Sequence, residues 1–380
     1  MIEEIQNILK SLNIDGWLIY DFQNKNYIAR SILNITEHTT RVLFYFIPKQ
    51  GKPIKLLSKV EPDKLSNFAG EIIFYRTWKE MREKLKEILS PYNIVAMEYS
   101  KKFSIPHLSI LDAGIYEIIK GFKINIVSSS KIVQNLSIIK EEEMETHYRA
   151  GEIIKQALFE VLENFKNFKY EHEVQEFIYE YLTKNNLTMD GDMPIFATGE
   201  NTSNPHYFPK KENPTKIEYR KPFLIDIWAR LNIKNSIYYD ITYIGYYGKA
   251  SDEYKKVFDI VKTARDMAVD FITERLEKGK DVFGYEVDDL VRRYIGKKGY
   301  GENFVHRTGH SIGRSVHWIN VNLDNFETHD DRNIINGCLF SVEPGIYIQN
   351  NFGIRSEINV YIQKNRANIT TIKQEQIVEL

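Results

Sequence analysis

The sequence predicts two domains: an α/β domain with a mixed sheet over residues 1–135, then an α+β domain over residues 136–380. Three observations lead there. A chain of 380 residues is longer than one hydrophobic core usually supports. Its first third alternates short apolar runs with amphipathic stretches, the pattern of an α/β sheet. Beyond residue 135, helical stretches and antiparallel strand pairs stop alternating regularly, the pattern of an α+β domain.

The elements follow in order. Ile5, Ile8, Leu9 and Leu12 recur at helical spacing, and GWLIY (16–20) reads as a strand. Further strands are expected at 41–48, 52–58, 71–76 and 93–100, with helices near 61–69, 78–89 and 107–120. Ser128, Ser129 and Ser130 make a polar break after the strand KINIV. A long helix is expected from Ile139 to Phe165, its acidic start suiting the positive end of the helix dipole. Helices are then expected at 171–184, 252–276 and 284–296, and strands at 193–197, 222–229, 236–246, 338–348 and 353–362.

Composition narrows the function. With 51 basic and 52 acidic residues the net charge is -1, which gives no footprint for nucleic acid or an anionic membrane surface. No apolar stretch is long enough to span a bilayer. Cys338 is the only cysteine, so no intramolecular disulfide forms, and its apolar neighbours make it a core residue. The N-terminus lacks the basic start and apolar run of a signal peptide, so a cytoplasmic protein is expected.

The chemistry concentrates in the second domain. Asp226 sits inside the apolar strand FLIDIWAR and Asp240 inside SIYYDITYIGYYG. A buried carboxylate is costly without a partner. If Arg230 pairs with Ser236, Asp226 lies directly opposite Asp240, where like charges repel unless a cation lies between them. A second hairpin repeats the arrangement in residues 338–362. A three-residue loop at 349–351 pairs Ile348 with Phe352 and sets Glu343 opposite Glu357, with Arg355 on the same face. Pro344 is expected to bulge or end that pairing. Between the hairpins, GENFVHRTGHSIGRSVH carries His306, His310 and His317, with Gly309 and Gly313 permitting a tight path that presents the imidazoles. Each feature alone admits a structural explanation. Two acid-bearing hairpins and a histidine run in one domain point to a metal site.

These residues resemble a known family. Asp226 in LIDIWA, Asp240 in YDIT, His310 in TGHSIG, Glu343 in SVEPGIY and Glu357 in GIRSE match, in order, the metal ligands of the pita-bread-fold metallopeptidases. The match is to the branch of Xaa-Pro dipeptidases (prolidases) and aminopeptidases P, and it covers nearly the whole chain. The resemblance implies an N-terminal creatinase-like domain and a C-terminal pita-bread domain holding two divalent metal ions, Mn, Co or Zn. Asp226 would bind one ion and His310 and Glu343 the other, with Asp240 and Glu357 bridging. A shared water of lowered pKa would supply the hydroxide that attacks the peptide bond before proline. Glu343 would shuttle the proton, His317 would stabilise the tetrahedral intermediate and His306 would help position the substrate. His206 resembles a further substrate-side histidine. Arg355 has three open roles: orienting Asp240, meeting a substrate carboxylate, or a structural ion pair.

The resemblance further implies a small peptide substrate and a homodimer. The nearest alternative is an aminopeptidase P acting on longer Xaa-Pro peptides. A metal-free binding protein on the same scaffold is the alternative of another class, and the presence of all five ligands weighs against it. The chain departs from the family pattern in four places. The two aspartates lie three residues farther apart than usual, Tyr243 follows Thr242, Trp318 follows His317, and the link from His317 to Glu343 is long. These bear on substrate preference and leave the ligand set intact. His38, His107, His147, His172 and His329 have no comparable context and read as structural or exposed.

Overall fold

The computed structural model describes residues 1–380, which divide into two compact units, Met1–Ser137 and Ile138–Leu380. In the first, the elements are α1 (Ile2–Ser11), β1 (Gly16–Asp21), α2 (Tyr27–Leu33), β2 (Leu43–Pro48), β3 (Ile54–Ser58), β4 (Glu71–Tyr75), α3 (Trp78–Leu89), β5 (Ile94–Met97), α4 (Ala113–Gly121), β6 (Asn125–Ser128) and α5 (Ser130–Leu136). The strands form one sheet in the order β4-β3-β2-β1-β5-β6. It is mixed: β1 pairs antiparallel with β2 and parallel with β5. Leu18, Phe44, Phe46 and Val95 from the strands pack with Leu85 and Leu89 of α3 and Ile119 of α4. Every such burial removes apolar surface from water, the main favourable contribution to folding.

Two helical expectations fail here. Residues 61–69 form turns rather than a helix, because Leu65 takes a left-handed φ of 56° and its N–H donates to Glu37 Oε2 at 2.8 Å. Helix α4 starts at Ala113 rather than near residue 107. Pro106 lies in a short 3₁₀ turn, and Asp112 then caps α4 by accepting from the N–H groups of Gly114 and Ile115. The short helices α2 and α5 have too few turns to show a periodic signal.

The second unit contains α6 (Met144–Glu163), α7 (Glu171–Lys184), β7 (Leu187–Thr188), β8 (Ile195–Thr198), β9 (Lys221–Leu231), β10 (Tyr239–Tyr247), α8 (Asp252–Glu277), α9 (Gly284–Lys297), β11 (Leu339–Val342), β12 (Gly345–Ile348), β13 (Phe352–Arg355), β14 (Ile358–Gln363), β15 (Arg366–Ile369) and β16 (Val378–Glu379). One sheet runs β16-β10-β9-β7 with β8 also on β9. A second runs β11-β14-β15, and β12 and β13 pair alone. One continuous apolar core joins the inner faces of all four helices to the strands. Cys338 is buried within it.

The hairpin registers decide where the acidic residues meet. On β9 and β10, Asp240 pairs with Trp228, and Thr242 with Asp226. The pairing is displaced by two residues from the expected one. The cause is the connection: β9 runs on to Leu231, and the Ser236 hydroxyl then donates to the Leu231 carbonyl at 2.5 Å, spending Ser236 on the turn rather than on the ladder. Because side chains alternate with a period of two, a shift of two leaves Asp226 and Asp240 on one face. The other hairpin has the expected register, with Ile348 opposite Phe352. Its ladder stops at Gly345–Arg355 and resumes at Val342–Ile358 without a slip. Pro344 sits in the break, and Glu343 and Glu357 face each other across it.

Candidate metal centre

Asp226 on β9 and Asp240 on β10 line the same cavity as Glu343 and Glu357, which flank the break between β11/β14 and β12/β13. A hydrogen bond locks the two strand systems together: the Asp240 N–H donates to Asn359 Oδ1 at 2.9 Å. The histidine segment is drawn onto β11 by a close backbone approach. A Cβ on Gly309 would lie 1.9 Å from the Ser341 carbonyl oxygen, so only glycine fits. The neighbouring His310 then donates its N–H to Ser341 Oγ at 2.9 Å and accepts from the Ser341 N–H at 2.8 Å.

All nine residues singled out in the sequence line one cavity of about 280 Å³: Asp226, Asp240, His310, Glu343, Glu357, Arg355, His306, His317 and His206. His310 Nε2 lies 3.4 Å from Asp240 Oδ2 and 3.3 Å from Glu343 Oε1. Donor atoms of Asp240, His310 and Glu357 all lie within 4.8 Å of one another. Asp226 is turned onto Arg355, with which it forms a buried ion pair. The pair is Arg355 with Asp226, not with Asp240.

The electrostatics are those of crowded buried carboxylates. Burial and the charges of Asp240, Glu343 and Asp226 push Glu357 well up. Burial also raises Asp240, against the opposing pull of His310, and raises Asp226 against that of Arg355. Burial would raise Glu343 too, yet His310 and Arg355 outweigh it and hold Glu343 low. Burial alone would depress His310, but the bond to Asp240 and the charge of Glu343 raise it.

These residues fit divalent cations. His310 Nε2 lies within 3.4 Å of oxygens of both Asp240 and Glu343, so a cation could take the place of a ring proton between them. Glu357 Oε1 is buried with no protein partner. Carboxylate oxygens and one imidazole are a donor set for Mn, Co or Zn.

The surrounding residues are held separately. The Tyr347 hydroxyl lies 2.9 Å from His306 Nε2, and His306 Nδ1 lies 2.7 Å from the Arg307 carbonyl. Both nitrogens of His306 are thus engaged within the protein, and burial lowers its pKa to about 4. The His317 ring stands edge-on to His310 at 4.3 Å and makes no hydrogen bond to the protein through its nitrogens. The charge of His310, with burial, lowers it to about 3, so it is neutral. His206 is exposed at the cavity wall.

Sequence reasoning missed three supports. Thr242 Oγ1 donates to Glu357 Oε2 at 2.7 Å and accepts from Arg355 Nε at 2.8 Å. Tyr347 bridges His306 and Arg355. Strand alternation could have found both, since each lies on the face of a candidate ligand two or four residues earlier. Asp288 on α9 accepts from the Thr308 N–H and hydroxyl at 3.0 and 2.6 Å, fixing the histidine segment from behind. Its spacing to Arg292 reads as an ordinary helical ion pair, so no sequence signal marks it.

Comparison with known proteins places this architecture. The model of metallopeptidase family M24 matches residues 145–364. The chain belongs to that family. It is 30% identical over 271 residues to the Xaa-Pro dipeptidase of Pyrococcus furiosus, across 69% of this chain and 73% of that protein. Among solved structures, a prolidase from Thermococcus sibiricus superposes with a TM-score of 0.66 at 23% identity, covering 100% of this chain and 98% of that one. A dipeptidase from Mycobacterium ulcerans does so with a TM-score of 0.74 at 20% identity, covering 100% and 96%. These structural likenesses speak to the fold, which is the expected pita-bread fold. An M24 metallopeptidase uses divalent metal, in keeping with the carboxylate and imidazole cluster. No helix is long and apolar enough to cross a membrane.

Proposed function

We propose that this M24 peptidase is a Xaa-Pro dipeptidase, hydrolysing the bond before proline at a dinuclear metal centre. The observation that carries the reading is the gathering of four carboxylates and His310 at one cavity, in a chain related to a Xaa-Pro dipeptidase. Asp226, Asp240, His310, Glu343 and Glu357 would hold two divalent cations. Bound there, the cations would supply Lewis acidity and a water of lowered pKa.

The chain's own residues do the rest. Glu343, kept ionised by His310 and Arg355, accepts the proton released as water adds to the carbonyl carbon and delivers it to the proline nitrogen as the C–N bond breaks. His317 is neutral and has a ring N–H that no protein acceptor occupies, so it can donate to the oxygen that gains charge during attack. Arg355 fixes the Asp226 carboxylate, and Thr242 fixes that of Glu357. His206, at the wall, contacts the substrate.

The test is hydrolysis of Met-Pro against a Met-Pro-Xaa tripeptide by metal-stripped protein with Mn, Co or Zn restored. Metal-dependent cleavage of the dipeptide alone is expected. Cleavage of the tripeptide would move the assignment to an aminopeptidase P, and cleavage of neither with any metal would overturn the proline specificity.

A further inference from the structure

The cavity holds two guanidinium groups in opposite states. Arg355 is buried and its donors are committed: Nη2 to Asp226, Nε to Thr242 Oγ1 at 2.8 Å, and Nη1 to the Pro205 carbonyl at 3.3 Å and the Tyr347 hydroxyl at 3.4 Å. Arg307 also lines the cavity, yet its guanidinium makes no hydrogen bond. The closest carboxylate oxygen, Glu327 Oε2, is 3.7 Å from Nη1, outside hydrogen-bonding distance. Glu327 is anchored by the main chain instead. Its Oε1 accepts the Arg307 N–H at 3.0 Å, and its own N–H donates to Asp324 Oδ1 at 2.9 Å.

Arg307 therefore presents an unspent planar fork of donors beside the metal-site residues. It adjoins His306 in the chain, and its charge is felt by His310, His317 and Glu343. A dipeptide is cleaved at its one peptide bond, and its carboxylate carbon is only three bonds from the scissile carbon. That anion must enter the same cavity, and it needs a cation with free donors to offset its desolvation.

We propose, on the basis of the Xaa-Pro dipeptidase reading, that Arg307 is the specificity residue that pairs with the free C-terminal carboxylate of the dipeptide, with Glu327 as the counter-ion it leaves on binding. The guanidinium fork matches a carboxylate bidentately. A longer peptide brings a neutral amide to the same place, which cannot compensate the cation's lost hydration. Arg355, with its donors committed, holds the metal-site carboxylates and does not read the substrate.

The experiment compares Met-Pro with Met-Pro amide on the manganese-loaded enzyme, for wild type, R307Q and E327Q. Wild type is expected to favour the free acid by about 10- to 100-fold in kcat/KM, the worth of a charge-assisted pair. R307Q should collapse that ratio toward one, through KM for the acid. E327Q keeps an oxygen for the Arg307 N–H but removes the competing charge, so KM for the acid should fall. Equal cleavage of acid and amide by wild type, or an equal loss on both in R307Q, would overturn the role of Arg307 and leave the dipeptidase reading standing. Cleavage of neither substrate by wild type would overturn both.

Discussion

Asp288 offers the sharpest test of how the histidine segment is held. It is buried on α9 and accepts five hydrogen bonds: from the Thr308 N–H and hydroxyl, from Nη2 and Nε of Arg292 at 3.1 and 3.3 Å, and from the Asn325 N–H at 3.0 Å. Arg292 lies between the rings of Phe304 and Phe326 and donates to the carbonyls of Phe304 and His306 at 2.8 and 2.7 Å. Asp288→Ala would strip a buried cation of its counter-ion and leave the Thr308 hydroxyl without an acceptor. Removing one partner of a buried pair costs about 3–5 kcal/mol. Arg292 keeps 21% of its side chain exposed, and the Thr308 N–H also reaches the Leu323 carbonyl at 3.1 Å, so the lower end, about 3 kcal/mol, is expected. The shift of the urea midpoint at constant m measures it. Because the Thr308 carbonyl accepts the Glu343 N–H at 2.8 Å, kcat should fall as well, even in conditions where the variant is folded. A loss under about 1 kcal/mol with full activity would refute the idea that this ion pair fixes the segment.

Other outcomes follow from the same geometry. Glu357→Gln removes one of four crowded carboxylates, so the metal-free variant should be at least as stable as wild type, while only wild type gains stability on adding manganese, about 2.7 kcal/mol at a hundred times Kd; an equal gain in the variant, read by thermal melting, would remove Glu357 from the ligand set. Thr242→Val should weaken metal binding about 10- to 100-fold in a competitive chelation titration, while Thr242→Ser restores it, since only the hydroxyl links Glu357 to Arg355. His147 is buried between the Tyr238 carbonyl and Thr370 Oγ1, and burial lowers its pKa from 6.5 to about 4. The unfolded state binds the extra proton, so stability present above pH 6.5 is lost as pH falls, by about 2 kcal/mol between pH 7.5 and 5. Wild type should show that much more acid sensitivity in urea midpoints than His147→Gln, and identical pH profiles would refute it.

The candidate ligands were legible in the sequence because their signal is local. A carboxylate in an apolar strand is conspicuous at once, and a histidine run between glycines is nearly so. Strand alternation then carries a face assignment, which survived even where the β9–β10 register was displaced by two residues. That displacement could not be read, since it depends on whether Ser236 joins the ladder or closes the turn, and both uses suit a serine. The pairings of the supports were illegible for another reason. Strand alternation puts Thr242 and Arg355 on the right faces, but Thr242 meets Glu357, and Arg355 meets Asp226, across more than a hundred residues of chain. In the first unit, Leu65 shows the converse failure, an apolar residue at helical spacing whose backbone is claimed by a side chain from elsewhere.

The charge inventory of the cavity explains why the supports are needed at all. At the candidate metal ligands, four buried carboxylates are in contact with only the Arg355 guanidinium and the His310 imidazole, which cannot neutralise them all. Two remedies exist: protonation of carboxylates, or cations from solution. Protonation would suit Asp226, Asp240 and Glu357, whose pKa values burial raises, but it would leave Glu343 ionised, since His310 and Arg355 hold it low. Cations would offset all four carboxylates, and they would also give Glu357 Oε1 the partner the protein does not supply. Arg355 and Thr242 then have a definite task. They fix the Asp226 and Glu357 carboxylates before any cation arrives, so that part of the cost of crowding is met by folding rather than by metal binding. This is why Thr242→Val should act on metal affinity more than on the fold.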